Sequence, residues 1–127
     1  MDRIFYNFKI PRSLYKDLSS QATWHHNSIS EEIRERLNVT LTPTYEYNHK
    51  STISTSLNYK ICNGALNRYI TSDDYITFDF EMAEKTETIF KKIGEFTGYK
   101  LQTLELNKDI IFRLAYTMMD PFYENFR

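Results

Sequence analysis

Little in this chain suits a covalently stapled or membrane-spanning architecture. A single cysteine, Cys62, has no partner for a disulfide within its own chain, so a disulfide scaffold is excluded. No apolar run approaches the ~18 residues that a spanning helix needs. The opening stretch carries Asp2 and no apolar core of a secretory signal, which makes the cytoplasm the expected compartment. Glycine and proline number three each, too few for a flexible or low-complexity chain. An excess of one charge is also missing. Sixteen Lys and Arg stand against 17 Asp and Glu, whereas proteins that coat nucleic acid without specificity are strongly basic. Residues 1–40 hold six basic and five acidic side chains, and residues 41–127 hold ten and twelve. Any nucleic-acid contact must therefore come from a few well-placed groups.

What is present is a 127-residue chain with 41% hydrophobic residues, of which ten Tyr, nine Phe and one Trp give it a rich aromatic supply. That is enough for one ordinary domain or two very small ones. In residues 3–10 the even positions Ile4, Tyr6, Phe8 and Ile10 are apolar or aromatic, and Arg3, Asn7 and Lys9 are polar, with Phe5 the exception. Period-two alternation predicts a strand with one buried face, stopped at Pro11. Arg12 to Thr23 then carries Leu14, Leu18 and Ala22 at helical spacing, with Tyr15 beside them. Ser28 and Glu31 form a capping-box signature ahead of a second helix marked by Ile29, Ile33 and Leu37. Glu32 and Arg36 lie at i, i+4 and are expected to pair.

Residues 40–72 carry no clear period. A second strand is predicted from Tyr75 to Glu81, a helix from Met82 to Phe96, and a last helix from Asn107 to Met119 with Ile110, Ile111, Leu114 and Met118 along its stripe. Phe122, Tyr123 and Phe126 in the tail need a surface to pack on, in this chain or in a partner. Residues 75–119 thus repeat the order strand, helix, turn, helix, and Phe78-Asp79-Phe80-Glu81-Met82 echoes Tyr6-Asn7-Phe8-Lys9-Ile10. The echo places Asp79 and Glu81 where Asn7 and Lys9 stand, and carboxylates repel a phosphate polyanion. If real, the echo is expected to be a degenerate module used for assembly rather than reading.

Catalytic and metal signatures are missing too. There is no phosphate-binding glycine loop, no nucleophile elbow and no H-E-x-x-H helix. His25, His26, His49 and Cys62 lack metal-ligand spacing, and the two adjacent histidines are expected in a solvated turn. No enzyme activity, cofactor or metal is expected.

The run Asn7-Phe8-Lys9-Ile10-Pro11, then Leu14 and Leu18, then Asn27-Ser28-Ile29-Ser30-Glu31-Glu32-Ile33 with Arg36-Leu37, resembles the ribbon–helix–helix family of DNA-binding proteins, in particular the Arc and Mnt phage repressors. The likeness covers roughly residues 3–40. It departs from the family where His25-His26 replaces a turn glycine, where Phe5 stands at a polar reading position, and where Asn27 replaces the first arginine of the buried Arg–Glu–Arg triad described for Arc.

The resemblance implies an α+β fold. Residues 1–40 would form an intertwined dimer around a two-stranded antiparallel ribbon, and residues 41–127 a small α+β domain for oligomerisation or partner binding. A lone strand of this length is unstable, and ~40 residues bury little core, so dimerisation is the expected remedy. Tyr6, Phe8, Ile10, Leu14, Leu18, Ile29, Ile33 and Leu37 would form the dimer core. Phe5, Asn7 and Lys9 would face the bases of double-stranded DNA in the major groove. Asn7 suits adenine and Lys9 suits guanine, while Phe5 suits a thymine methyl or its neighbour across the ribbon. Arg3, Ser28 and Ile29 would meet phosphates, the last two through the start of the second helix.

The implied function is a sequence-specific regulator, a transcriptional repressor reading a palindromic operator as a homodimer or tetramer. The alternatives are an antitoxin-type protein whose residues 41–127 hold a protein partner, and an accessory factor in DNA processing.

Overall fold

The computed structural model describes residues 4–45, 74–82 and 104–127, with side chains described for residues 9–45, 74–78 and 110–127. The elements are strand β1 (Ile4–Pro11), helix α1 (Arg12–Trp24), helix α2 (Ile29–Thr40), strand β2 (Tyr75–Met82) and helix α3 (Leu104–Met119), followed by a 3-10 turn at Tyr123–Asn125. The architecture is α+β, with helices packed on a two-stranded antiparallel sheet. Met82, expected to open a helix, instead ends β2, and the rest of that expected helix, to Phe96, falls on residues outside the described ones. So do His49, Cys62 and Arg3.

The strand and helix patterns read from the sequence appear at nearly the expected bounds. Pro11 ends β1 and caps α1 with φ −56° and ψ 134°, extended backbone that proline adopts without strain. α1 ends in paired backbone bonds, Asn27 N to Ala22 O at 2.8 Å and His26 N to Thr23 O at 3.2 Å. This closure requires a left-handed residue, and His26 supplies it with φ 60°. The turn thus keeps the conformation of a glycine turn without the glycine.

The main correction concerns where β1 finds its partner. β1 pairs with β2 of the same chain, from Ile4 opposite Met82 to Pro11 opposite Tyr75. A two-stranded antiparallel sheet is present, but one chain supplies both strands, where the expectation was one strand from each of two chains. A strand tethered to the same chain competes at an effective concentration on the order of millimolar, which favours it over a second copy. Arg12 extends the ladder, donating its backbone N–H to Asp74 O at 2.9 Å.

The alternating faces of the ribbon follow from burial where side chains are described. Ile10 is fully buried, Ile76 and Phe78 pack against the core, and Lys9 and Thr77 are exposed. By parity, the positions of Ile4, Tyr6 and Phe8 with Phe80 and Met82 belong to the inner face, and those of Phe5 and Asn7 with Asp79 and Glu81 to the outer face.

Over the inner face lies one apolar cluster. Ile10, Leu14, Leu18, Ile33 and Leu37 are buried as the patterning requires, with Ile29 partly buried beside them. The rest of the cluster comes from Ile110, Ile111, Leu114 and Ala115 of α3, rather than from a second copy. The core is therefore shared across the boundary expected at residue 40. A smaller cluster joins Val39, Tyr45 and Tyr123, with Phe112, Tyr116 and Phe126 packed on it. Two of the three tail aromatics thus pack within this chain, while Phe122 stays 60% exposed.

Where α2 meets α3 the contacts are reciprocal. Arg36 Nη1 donates to Thr117 Oγ1 at 3.0 Å, and Arg113 Nη1 lies 3.3 Å from Thr40 Oγ1. Each threonine hydroxyl in turn donates to the carbonyl three residues back, Thr40 to Leu37 at 2.7 Å and Thr117 to Leu114 at 2.8 Å. The sequence holds the same run twice, Arg36-Leu37 with Thr40 and Arg113-Leu114 with Thr117. Residue i touching j′ while i′ touches j is the signature of a two-fold contact. Here both halves of that contact belong to a single chain.

Candidate nucleic-acid interface

The candidate surface has two parts, the outer face of the ribbon and the start of α2. On the ribbon, the register places Phe5 opposite Glu81, Asn7 opposite Asp79 and Lys9 opposite Thr77. Lys9 and Thr77 are exposed at one end, and Tyr75 next to them is 42% exposed. The three sequence-predicted base readers thus fall at positions of one parity. The strand beside them, however, is the acidic echo. Counting only these six positions, one Lys stands against one Asp and one Glu.

At the start of α2, Ser28 caps the helix. Its hydroxyl accepts from Glu31 N at 3.1 Å, and its backbone N–H donates to Glu31 Oε1 at 3.0 Å. The capping box is complete. The backbone N–H of Ser28, with its hydroxyl, holds the Glu31 carboxyl below its ordinary value. Ser28 is exposed, whereas Ile29 is partly buried against the core, which leaves only its backbone for the expected phosphate contact. A phosphate at this helix start would meet Glu31 as a neighbour, which weakens the site electrostatically.

Behind α2 lies a buried polar network that sequence spacing showed only in part. Glu32 is fully buried and accepts from Arg36 Nε at 2.8 Å, the expected i, i+4 pair. Asn27 Nδ2 donates to Glu32 Oε1 at 3.1 Å. His25, expected in a solvated turn, is instead buried at its side chain. Its Nδ1 lies 2.8 Å from Glu32 Oε1 and its Nε2 lies 2.7 Å from Glu124 Oε1. The reason is the tail, which folds back beside the turn. Arg127 pairs with Glu35 and lies 3.8 Å from Glu124. Burial pushes the Glu32 carboxyl upward. The hydrogen bonds from His25 and Asn27, with Arg36 beside it, outweigh that and hold it below its ordinary value.

The Arg36 guanidinium also stacks 4.2 Å above the Tyr123 ring centroid. Burial pushes the Tyr123 hydroxyl far above its ordinary value, so it stays protonated, and it has no hydrogen-bond partner. It lies beside an open cleft of about 230 Å³ bordered by Arg36, Thr117, Asp120 and Glu124. All four are engaged: Arg36 with Glu32, Thr117 with Arg36 and the Leu114 carbonyl, Glu124 with His25, and Asp120 with the Tyr45 hydroxyl at 2.7 Å. The cleft is thus walled by structural pairs.

Among the described residues no three His, Cys, Asp or Glu side chains converge as a metal set would, and no helix is long and apolar enough to cross a membrane. The residues missed by sequence reasoning were Arg113, Thr117 and Thr40. The signal that locates them is the repeated Arg-Leu-x-x-Thr run. No protein-family model matches the chain, and no curated protein or solved structure matches it.

Proposed function

We propose that this chain is a sequence-specific double-stranded DNA-binding protein of ribbon–helix–helix type, acting as a transcriptional repressor, in which one chain forms the whole reading ribbon. The observation that carries the reading is the β1–β2 pair, packed on the helices through Ile10, Ile76 and Phe78, with Asn7, Lys9 and Thr77 beside Phe5, Asp79 and Glu81 at its outer positions. A two-stranded ribbon of this width fits the major groove. Asn7 offers a donor and an acceptor to adenine, and Lys9 offers donors to guanine O6 and N7. Arg3 and the Ser28 end of α2 are the proposed phosphate contacts, which set the ribbon's position without reading sequence. A second copy would add a second ribbon on an adjacent site rather than complete the first, and a dimer or tetramer would gain affinity that way.

The test is selection of bound duplexes from a random pool, followed by titration of Asn7→Ala and Lys9→Ala. Each substitution should cost about 1–3 kcal/mol of discrimination, roughly 5- to 150-fold, while the fold persists. Affinity should fall with salt along a shallow slope, because few cations take part. An unenriched pool, or unchanged discrimination in both variants, would overturn the proposal.

A second reading is an interaction protein of antitoxin type. It is favoured by the two carboxylates on the outer positions of β2 and by the exposure of Trp24 at 76%. An unenriched pool combined with tight binding to a basic protein would point there.

A further inference from the structure

The two strands of the ribbon can be compared position by position. The symmetric Arg–Thr contacts relate α2 to α3, the middle of the register falls between the Asn7–Asp79 and Phe8–Phe78 pairs, and the echo of Tyr6-Asn7-Phe8-Lys9-Ile10 in Phe78-Asp79-Phe80-Glu81-Met82 selects Asn7–Asp79 as the centre. Under that relation Ile4 corresponds to Ile76, Tyr6 to Phe78, Phe8 to Phe80 and Ile10 to Met82. All four inner positions keep their character. The three outer positions do not. Phe5 corresponds to Thr77, Asn7 to Asp79 and Lys9 to Glu81, the last a reversal of charge. The packing face of the ribbon has stayed alike in both halves, and the presenting face has diverged at every step.

Resting on the DNA reading above, we infer that the ligand is an asymmetric DNA site, read in one orientation by a single chain, and not a palindrome. In a ribbon built from two copies each reader appears twice and the site must mirror itself. Here each appears once. The outer positions are Lys9 and Thr77 at one end of the ribbon and Phe5 and Glu81 at the other. Lysine suits guanine, a carboxylate accepts from the amino group of cytosine, and an apolar ring suits a thymine methyl. The two ends therefore favour different base pairs. Residues 5 to 9 span about 13 Å of strand, the rise of about four base pairs, so the directly read core is short. The carboxylates of β2 find favourable partners only at base amino groups, since phosphates repel them. They act against wrong sequences more than they add affinity.

The experiment is selection from random duplex DNA with the full chain, repeated with Lys9→Ala, alongside the mass of the complex on one selected duplex. The expected consensus lacks dyad symmetry, Lys9→Ala flattens preference at one end only, and the complex contains one chain per site. The variant Thr77→Phe/Asp79→Asn/Glu81→Lys makes the outer positions alike, and it should convert the consensus to a palindrome and tighten binding at least tenfold at moderate salt. Circular dichroism of each variant separates loss of fold from loss of reading. A palindromic consensus for the natural chain, or flattening at both ends by Lys9→Ala, would overturn the asymmetry and leave DNA reading standing. An unenriched pool would overturn both.

Discussion

Glu32→Leu isolates what holds α2 and the tail together. The Glu32 carboxylate has no exposed surface and accepts from His25, Asn27 and Arg36. Its removal leaves Arg36, 2% exposed, with Thr117 and the Tyr123 ring as its contacts in the network described here. Stranding one partner of a buried pair costs about 3–5 kcal/mol. The cation–π contact offsets about 1–2 kcal/mol when desolvated, but it is present before and after the substitution and does not reduce the difference. The expected loss is therefore about 3–5 kcal/mol, or a fall in Tm on the order of 10–20 °C for a chain of this length. The pair as a whole should be nearly neutral. Glu32→Leu/Arg36→Met removes both charges from an apolar setting, and such replacements are often neutral or stabilising by about 1–4 kcal/mol. Urea denaturation of the two single variants and the double variant gives the coupling. A single-variant loss below about 1 kcal/mol, or a double variant as unstable as the sum of the singles, would refute the reasoning.

Two further outcomes follow from the same region. His26→Gly should raise stability by about 0.5–1 kcal/mol, because φ 60° costs a residue with a Cβ and costs glycine nothing; a loss of stability in thermal melts would contradict the capping geometry. Because the folded Glu32 carboxyl lies below its ordinary value, its contribution is complete above the unfolded value of about 4.3 and fades as pH falls through and below it. The urea midpoint should decline on that acid limb, and Glu32→Gln should make the decline shallower; parallel limbs would remove Glu32 as a cause.

The five main described elements were legible because each has an unambiguous period. Ile4 to Ile10 and Tyr75 to Glu81 alternate, and Leu14-Leu18-Ala22, Ile29-Ile33-Leu37 and Ile110-Leu114 follow helical spacing. Alternation shows that a strand has a buried face. It does not show which strand lies beside it, so the pairing of β1 with β2 is not legible in the pattern, although the echo between them is. The acidic residues Asp79 and Glu81 of the echo lie in β2, opposite Asn7 and Phe5. The burial of His25 depends on Glu124, ninety-nine residues away, and no local pattern reveals such a contact. The Arg-Leu-x-x-Thr repeat was present in the sequence, but its meaning needs the two helices side by side.

The account rests on β1 and β2 of one chain lying edge to edge. Lys9 and Thr77 face each other across that edge and both are exposed. Directly opposed residues in an antiparallel pair have Cα atoms about 4.5–5.5 Å apart, within the span a disulfide bridges. Lys9→Cys/Thr77→Cys, placed in a Cys62→Ser background and oxidised at high dilution, should yield a bridge within the chain. It should run as a 15.3 kDa monomer on a non-reducing gel and keep the native circular dichroism. A bridge that forms only between chains, giving a covalent dimer that dilution does not suppress, would contradict the account.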